Sequence, residues 1–352
     1  MVEMTFWSGK RVLLTGHTGF KGAWAGRWLA KLGADVTGLA LAPEQCKNLF
    51  SMLGEDHLVA SHIADLRNAS LTAEIVAQSQ PEFVFHMAAQ SLVRFSYANP
   101  VQTFDSNVMG TVHLLDALRH QATLKAIVIV TSDKVYENQG LGFTFKEGDI
   151  LGGHDPYSAS KAATELVVSS FQRSYFSAMK VPIVTARGGN VIGGGDFSVD
   201  RIIPDIVRAL IDGKEPQIRN PNATRPWQHV LDCLDGYFAF AEALAKGNEL
   251  PLALNFGPSA SSEAIKVGHL ANIFMTRMGR KSAAYKQVAQ GPHEPMDLSI
   301  DSSLSMRNLQ WKPKMDSHAA IELTALWYDG FIAGERMSDF TDSQIKAFEE
   351  LS

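Results

Sequence analysis

Cysteine is scarce in this chain: Cys46 and Cys233 are the only two among its 352 residues, and they lie far apart in the sequence. Two isolated cysteines neither staple a small secreted domain nor provide the ligand spacing of a metal site. The sequence therefore predicts reduced thiols, no bound metal and a cytoplasmic protein.

An excess of charge of one sign and long apolar runs are also lacking. The formal net charge is −5, which creates no long-range field that would attract nucleic acid or an anionic membrane. The N-terminal segment has no basic start followed by an apolar run, so it does not predict a secretory signal. No stretch of about 18 apolar residues occurs, which argues against a membrane span. We expect neither nucleic acid nor a membrane as a partner.

The first half of the chain alternates short β-rich runs with helical segments. Predicted strands cover residues 11–15, 35–39, 58–63, 83–86, 126–131 and 182–186, with a further strand at 252–256. Predicted helices cover residues 20–32, 70–79, 106–121 and 157–178. Apolar strands that alternate with helices indicate a parallel sheet with helices on both faces. Right-handed crossovers then give an α/β fold, a Rossmann-like, doubly wound sheet.

The alternation ends in the second half, where prolines are scattered through the sequence. We expect residues 1–190, together with about 227–257, to form the Rossmann domain. Residues 191–226 and 258–352 are expected to form a smaller C-terminal substrate-binding lobe. The acidic tail after Glu335 predicts a solvated helix.

A glycine-rich turn joins the first predicted strand to the first predicted helix. Residues 11–22 read RVLLTGHTGFKG, with glycine at positions 16, 19 and 22. Gly16 allows the tight turn, Gly19 lets main-chain amides approach a pyrophosphate, and Gly22 packs the helix against the strand. Free amides and the helix dipole then favour a diphosphate at the helix N-terminus. The turn predicts a dinucleotide site, although a bulky side chain, His17, stands in it.

The end of the second predicted strand bears on the choice between NAD and NADP. NAD enzymes usually carry an acidic residue there for the ribose, and NADP enzymes carry a basic residue for the additional phosphate. Residues 36–43 read VTGLALAP and contain neither. Because no arginine is present to bind the phosphate, the sequence favours NAD.

Two short motifs predict acid–base chemistry. Tyr157 and Lys161 begin a predicted helix, and their spacing of four places both on one face. A neighbouring ammonium stabilises a phenolate, so we expect a lowered pKa for the tyrosine and a role as base toward a substrate hydroxyl. Ser132, Asp133 and Lys134 follow the strand at 126–131, whose carboxyl end would place them beside the tyrosine. The alternatives are a surface pair and an ordinary polar turn.

Together these motifs resemble the extended short-chain dehydrogenase/reductases that act on nucleotide sugars. The likeness covers nearly the whole chain, and the motifs occur in family order. Further matching segments are HMAAQS at 86–91, NVMGT at 107–111, Arg187 with Asn190, and NLQWKP at 308–313. The 4,6-dehydratases of this group carry a hydroxyl–Asp–Glu triplet before Val-Tyr. Here Lys134 replaces the glutamate, which resembles the members that act on CDP-glucose.

The resemblance implies an NAD-dependent enzyme that dehydrates CDP-D-glucose to CDP-4-keto-6-deoxy-D-glucose, in deoxysugar synthesis for surface polysaccharide. It implies a catalytic set of Ser132, Asp133, Lys134, Tyr157 and Lys161. It implies that Tyr157 and Lys161 also contact the cofactor. The other implied cofactor contacts are Gly16, His17, Gly19, Phe20, Lys21, Gly22, Asp65, Leu66, Ala88, Ala89 and Asn107. It implies substrate contacts from Gln90, Ser91, Asn190, Arg201 and Arg225.

The implied mechanism assigns a proton transfer to Tyr157 and another to Asp133. Tyr157 takes the proton of the C4 hydroxyl, and a protonated Asp133 gives one to the departing C6 hydroxyl. Asp133 must then be buried or lie beside an anion, because only such surroundings raise its pKa. Lys134 is either the base that removes the C5 proton or a cation that stabilises the enolate, and the residues leave both open. The competing functions are another nucleotide-sugar 4,6-dehydratase, a sugar-nucleotide 4-epimerase and a non-catalytic dinucleotide-binding regulator.

The two longest predicted helices, 106–121 and 157–178, carry apolar residues on more than one face. One face must cover the sheet. The resemblance implies that the other forms a homodimer or homotetramer, and burial under the C-terminal lobe is the alternative.

Overall fold

The computed structural model describes residues 5–138, 142–259, 265–280, 284–289, 291 and 297–351. Within these residues seven strands form a central sheet, and eight two-residue strands form four small ladders. In chain order the strands are β1 (Arg11–Thr15), β2 (Asp35–Ala40), β3 (Ala60–Ile63), β4 (Phe83–His86), β5 (Ala126–Val130), β6 (Thr144–Phe145), β7 (Ile183–Gly188), β8 (Val191–Ile192), β9 (Gln217–Ile218), β10 (Thr224–Arg225), β11 (Gln228–His229), β12 (Ala253–Phe256), β13 (Ile265–Lys266), β14 (Lys286–Gln287) and β15 (Ser299–Ile300).

The helices cover both faces of this sheet and continue through the second half of the chain. In chain order they are α1 (Phe20–Lys31), α2 (Leu49–Leu53), α3 (Ala69–Ser79), α4 (Val93–Ala98), α5 (Pro100–Phe104), α6 (Gly110–Leu118), α7 (Pro156–Phe171), α8 (Ser177–Met179), α9 (Ile202–Ile211), α10 (Val230–Ala245), α11 (Val267–Arg277), α12 (Ser303–Leu309), α13 (Ser317–Ala333) and α14 (Met337–Glu349). Two π-helical segments, Asp105–Met109 and Gln172–Phe176, interrupt the predicted long helices.

The strand order of the central sheet is β12-β7-β5-β4-β1-β2-β3, and every neighbouring pair is parallel. The predicted doubly wound α/β fold is therefore confirmed. Strands β4, β5 and β7 are completely buried, whereas the edge strand β3 is partly exposed. The order reverses between β1 and β4, and in such sheets ligands bind at the carboxyl ends beside this reversal.

The two faces of the sheet bury different kinds of side chain. One face carries most of the buried aromatic rings, and the rings of Trp28 from α1 and Phe238 from α10 lie 5.3 Å apart there. On the other face aliphatic side chains of α6 and α7, such as Leu114 and Val168, pack against the strands. Helices α6 and α7 therefore each pack one face against the sheet.

The C-terminal helix α14 packs against the Rossmann core, so the prediction of a solvated tail is wrong. The indole Nε1 of Trp28 donates a hydrogen bond of 2.8 Å to Glu349, and the Phe348 ring lies 5.5 Å from the same indole. Ile345 and Phe348 are almost completely buried. Their spacing of three places them on one helical face, which the count of acidic residues obscured. Among the described residues, no helix is long and apolar enough to cross a membrane.

Candidate active site

A cavity of about 860 Å³ opens at the carboxyl ends of β4, β5 and β7, where residues from the second half of the chain form its other wall. Its lining comes from these strand ends, from the first turn of α1, and from α7 and α9. Eleven of the predicted site residues line it: Lys21, Ala89, Ser91, Ser132, Asp133, Lys134, Tyr157, Lys161, Asn190, Arg201 and Arg225. Residues from both halves of the sequence therefore meet in one cavity.

The glycine turn beside this cavity is sterically demanding. Gly16 has a φ of 78°, and a Cβ atom there would lie 2.7 Å from the amide nitrogen of Ala88. A Cβ atom on Gly22 would lie 2.0 Å from the carbonyl oxygen of Gly16. Gly19 precedes α1 and provides no side-chain cap, so the first amides of the helix remain available. Two glycines thus shape the turn, and an uncapped helix N-terminus that suits a diphosphate follows.

His17 lies within this turn, but its ring packs against the sheet. The imidazole Nε2 lies 2.9 Å from the hydroxyl of Ser61, and the Phe50 ring lies 5.1 Å away. A Cβ atom on Gly38 would meet the imidazole at 2.4 Å, so the ring occupies the space that this glycine leaves. Burial lowers the pKa of His17 to about 4, so the ring is neutral at physiological pH. His17 does not line the cavity.

Asp65 and Leu66 follow β3, at the same edge of the sheet as the glycine turn. Asp65 forms an ion pair of 2.6 Å with Arg67, and the carbonyl oxygen of Leu66 lies 3.1 Å from Nδ1 of His113. Neither residue lines the cavity. Their predicted contact with the cofactor stays a prediction.

The loop after β4 is held by its own polar groups. The amide of Gln90 donates a hydrogen bond of 2.8 Å to Asn107, whose side-chain amide donates one of 3.0 Å to the carbonyl oxygen of Gln90. The Gln90 side chain donates a hydrogen bond of 2.9 Å to Thr103. The main-chain amide of Ala88 donates one of 3.2 Å to Thr15. The structure thus brings Ala89 to the cavity wall but leaves Ala88, Gln90 and Asn107 behind it.

Tyr157 and Lys161 reach the cavity from the first two turns of α7. Burial raises the pKa of Tyr157 to about 12, although a hydrogen bond with Ser132 opposes this effect. Lys161 Nζ donates a hydrogen bond of 3.0 Å to the carbonyl oxygen of Val130. Burial, assisted by the charge of Lys21, lowers the pKa of Lys161 to about 7. The predicted lowering of the tyrosine pKa is therefore wrong for the protein alone, because removal from water outweighs the opposing effects of Ser132 and Arg201.

Ser132, Asp133 and Lys134, the predicted catalytic triplet, lie one residue beyond the end of β5. The hydroxyl of Ser132 lies 3.1 Å from Oδ1 of Asp133 and accepts a hydrogen bond of 3.2 Å from the amide of Lys134. Asp133 is 3% exposed, and its Oδ2 has no hydrogen-bond partner among the residues that the structure describes. Burial raises the pKa of Asp133 despite the nearby charges of Lys134 and Arg225. The site contains the buried acid that the implied mechanism requires.

Two arginines that are predicted ligands of the diphosphate line the cavity from the second half of the chain. Arg201 donates hydrogen bonds of 2.9 Å to Ser91 and 3.1 Å to Asp196. Arg225 is 8% exposed and donates a hydrogen bond of 2.7 Å to the carbonyl oxygen of Thr224. Both guanidinium groups are thereby held in place at the cavity wall.

Sequence reasoning missed a buried ion pair behind the triplet. Arg187 donates hydrogen bonds of 2.8 and 3.0 Å to the two oxygens of Glu165, and both side chains are 5% exposed. The same carboxylate accepts hydrogen bonds of 2.6 Å from Thr131 and 2.7 Å from Thr185. Arg187 also donates a hydrogen bond of 2.9 Å to the hydroxyl of Tyr136. The available signal was an acidic residue four positions after the predicted catalytic lysine, among apolar neighbours.

A second missed feature joins the two parts of the chain at the cavity. Asp200 accepts hydrogen bonds of 2.9 Å from Arg94 in α4 and 2.7 Å from Arg219 after β9. All three residues line the cavity. Asp200 has a φ of 60°, so this acceptor lies on a left-handed residue. No local pattern relates residues this far apart in the sequence.

Comparison with known proteins identifies the family. The model of the GDP-mannose 4,6-dehydratase family matches residues 13–324. The chain belongs to this family. A CDP-glucose 4,6-dehydratase from Salmonella typhimurium is 40% identical over 343 residues, which cover 96% of this chain and 95% of the relative.

Solved structures agree with this family assignment in fold. A dTDP-glucose 4,6-dehydratase from Bacillus anthracis in complex with NAD superposes with a TM-score of 0.77, at 21% identity over 95% of this chain and 100% of that one. A UDP-glucose 4-epimerase from Thermotoga maritima gives a TM-score of 0.79, at 18% identity over 91% of this chain and 99% of that one. At these identities the likeness shows the fold that this dehydratase-family member shares with epimerases.

Proposed function

We propose that this protein is an NAD-dependent hydro-lyase that converts CDP-D-glucose to CDP-4-keto-6-deoxy-D-glucose. The observation that carries the proposal is the buried carboxyl of Asp133, which shares a cavity with Tyr157 and Lys161. A 4-epimerase needs the tyrosine and the lysine but has no use for a buried acid at this position. The 40% identity to a CDP-glucose 4,6-dehydratase supports the choice of nucleotide sugar.

The residues present fit a dinucleotide beside the cavity. The turn with Gly16 and Gly22 has no room for side chains, and the uncapped first turn of α1 presents amides to a pyrophosphate. Lys161 would hold the nicotinamide ribose, as the family resemblance implies. NAD, when bound, accepts a hydride from the sugar and returns it.

Tyr157 is placed to take the proton of the C4 hydroxyl. Its hydroxyl interacts with Ser132, which orients it within the cavity. Lys161 lies one helical turn further along the same face, and its pKa of about 7 allows the cationic form near neutral pH. A cationic neighbour favours the phenolate that must form before the substrate proton can be taken.

The triplet then performs the loss of water. A ketone at C4 acidifies the C5 proton, and half-buried Lys134 lies in the cavity either to remove that proton or to stabilise the resulting enolate. Asp133 gives its proton to the C6 hydroxyl, which leaves as water. Burial raises the pKa of Asp133, which favours the protonated carboxyl that this step requires.

The cavity lining also suits an anionic substrate, although the chain as a whole is acidic. Eight lysine and arginine side chains line the cavity: Lys21, Arg94, Lys134, Lys161, Arg201, Lys214, Arg219 and Arg225. Five acidic side chains line it as well: Asp133, Asp196, Asp200, Asp205 and Glu215. We assign Arg225, Asn190 and Arg201 to the diphosphate, because a guanidinium can bind two of its oxygens at once.

Incubation with CDP-, dTDP-, UDP- and GDP-glucose tests the proposal. The expected result is the largest kcat/KM for CDP-glucose, with a product that has lost one water and carries a C4 ketone. Mass spectrometry distinguishes this product from an epimer, whose mass equals that of the substrate. Formation of an epimer, or turnover only of a glucose carried by another nucleotide, would contradict the proposal.

The proposal extends to assembly and location. Met109, within the predicted helix 106–121, is 42% exposed, and Leu166, within the predicted helix 157–178, is 65% exposed. The C-terminal lobe leaves both side chains uncovered, so we assign this surface to a homodimer or homotetramer.

We further propose a Rossmann domain of residues 1–190 and about 227–257, and a substrate lobe of residues 191–226 and 258–352. We also propose that the protein acts in the cytoplasm, in deoxysugar synthesis for surface polysaccharide.

A further inference from the structure

Lys21 lies where the glycine turn meets the catalytic cavity. It is the second residue of α1, directly before Gly22, and its side chain lines the cavity together with Asp133 and Lys161. Its ammonium lies 5.9 Å from the centre of the Tyr237 ring. The side chain therefore extends from the phosphate-binding turn toward the catalytic end of the cavity.

The charge of Lys21 is not neutralised by the protein. In the part of the chain that the structure describes, Lys21 forms no ion pair and no side-chain hydrogen bond. The groups beneath it, Tyr237 and Cys233, are completely buried, and burial raises the pKa of both, so they are neutral. Burial also disfavours the charged form of the Asp133 carboxyl, although the charge of Lys21 opposes this effect. The Lys21 ammonium is thus a positive charge at the catalytic end that has no ion-pair partner among the described residues.

We propose that Lys21 selects the redox state of the cofactor, by disfavouring the cationic ring of NAD relative to the neutral ring of NADH. The inference rests on the proposed use of NAD. Lys161, with which Lys21 shares the cavity, is the residue assigned to the nicotinamide ribose, so the second ammonium lies at the nicotinamide end. Like charges in a site that is partly removed from water repel strongly, and this repulsion ends when the ring is reduced.

This repulsion assists the first chemical step. The sugar C4 loses a hydride to the bound cofactor and its hydroxyl proton to Tyr157, which leaves a ketone. Because Lys21 raises the free energy of the oxidised cofactor, it makes the bound cofactor a stronger oxidant of that carbon. The same residue would weaken the binding of NAD. Its charge therefore favours oxidation of the substrate at the expense of affinity for the oxidised cofactor.

Equilibrium binding to the protein freed of dinucleotide tests the inference. We expect Lys21→Met to tighten NAD binding about tenfold, a magnitude consistent with one partly screened charge, while NADH binding changes less than about twofold. A tenfold increase in the ratio of NAD affinity to NADH affinity corresponds to a fall of about 30 mV in the reduction potential of the bound two-electron couple. ADP-ribose, which carries the pyrophosphate but no nicotinamide, should bind the variant as it binds the wild type.

Two further variants control for charge and helix. Lys21→Arg keeps the cation and should retain the wild-type ratio of NAD to NADH affinity. Lys31→Met removes a lysine from the opposite end of α1, where it pairs with Asp342, and should leave all three affinities unchanged.

Two results would overturn the inference while leaving the proposed function intact. A joint loss of affinity for NAD, NADH and ADP-ribose in Lys21→Met would make Lys21 a phosphate ligand. Three unchanged affinities would leave it without a role toward the cofactor. Failure of the wild-type protein to bind any of the three compounds would instead overturn the proposed function and this inference together.

Discussion

The ammonium of Lys161 donates a hydrogen bond of 3.0 Å to the carbonyl oxygen of Val130, and Glu165 accepts one of 2.6 Å from Thr131. Helix α7 thereby holds the last two residues before the catalytic triplet. Because Tyr157 begins the same helix, the base for the C4 hydroxyl and the acid for the C6 hydroxyl keep a fixed relative position.

Replacement of Tyr157 by phenylalanine should remove proton transfer and spare binding. The ring stays in place, so we expect the turnover of CDP-glucose to fall about 10²–10⁴-fold while its affinity changes little. Steady-state kinetics and calorimetric titration measure the two effects. Turnover close to that of the wild type would contradict the assignment.

Asp133→Asn should abolish the elimination and change the pH dependence of stability. The asparagine has a similar volume but cannot supply the proton, so the dehydration rate should fall about 10²–10⁴-fold. The folded carboxyl has a pKa above its ordinary value of 3.8. As pH rises from that value to the raised pKa, the unfolded chain loses the proton first, so the wild type loses stability over this interval.

The variant lacks this loss, because asparagine does not titrate. Its melting temperature relative to the wild type should therefore be higher at about pH 8 than at about pH 4. Thermal denaturation at the two pH values measures the difference. A constant offset between the two proteins would show that the wild-type carboxyl is ionised over the whole range.

Lys134→Met should separate oxidation from elimination. The first hydride transfer depends on Tyr157 and Lys161, so the variant should accumulate NADH and the 4-ketoglucose nucleotide, visible as nicotinamide absorbance after substrate is added. Exchange of the C5 hydrogen with solvent deuterium should be lost together with dehydration. Methionine keeps most of the stem volume, so packing should suffer little. If the variant binds substrate but does not reduce NAD, Lys134 belongs to the oxidation step.

Glu165→Gln should destabilise the fold strongly. It leaves the guanidinium of Arg187, which is 5% exposed, without its anionic partner, and breaking such a buried pair costs about 3–5 kcal/mol. Arg336→Met is the matched control, because the exposed Arg336–Asp339 pair should contribute less than about 1 kcal/mol. Urea denaturation compares the two variants. Equal, small effects would show that water or a rearranged side chain compensates the buried charge.

Leu166→Asp should disrupt the proposed assembly. The side chain is 65% exposed in the single chain, so the substitution should leave the protomer folded while placing a charge in an apolar interface. Light scattering coupled to gel filtration should then report a smaller particle than the wild type. Leu252→Asp, at a residue that is 47% exposed on another part of the surface, is the control. An unchanged mass for Leu166→Asp would move the interface elsewhere.

Local patterns in the sequence were sufficient for much of the fold. Apolar runs placed the seven strands of the sheet, and the prediction for the third was wrong only in its start, because the amide of Leu58 donates to Glu55 in a turn before Ala60. The glycine spacing placed the turn before α1. These features depend on residues within a few positions of one another, so a single sequence is enough to predict them.

Contacts between distant residues were beyond such patterns. The helix α14 was predicted to be solvated. One of its faces is buried, because Phe348 packs against Trp28, which lies more than three hundred positions earlier. The pair of Glu165 and Arg187 unites a helix and a strand. Neither relationship leaves a periodic signal in the sequence.

The sequence by itself determined which groups are available for the chemistry: the glycine turn, the tyrosine–lysine pair and the acid of the triplet. Only the tertiary structure decided their protonation. Burial raises the pKa of Tyr157 and of Asp133 and lowers that of Lys161, because a charged form loses its hydration when the chain folds around it. The extent of that loss depends on every element packed against the group, and no segment of the sequence contains this information.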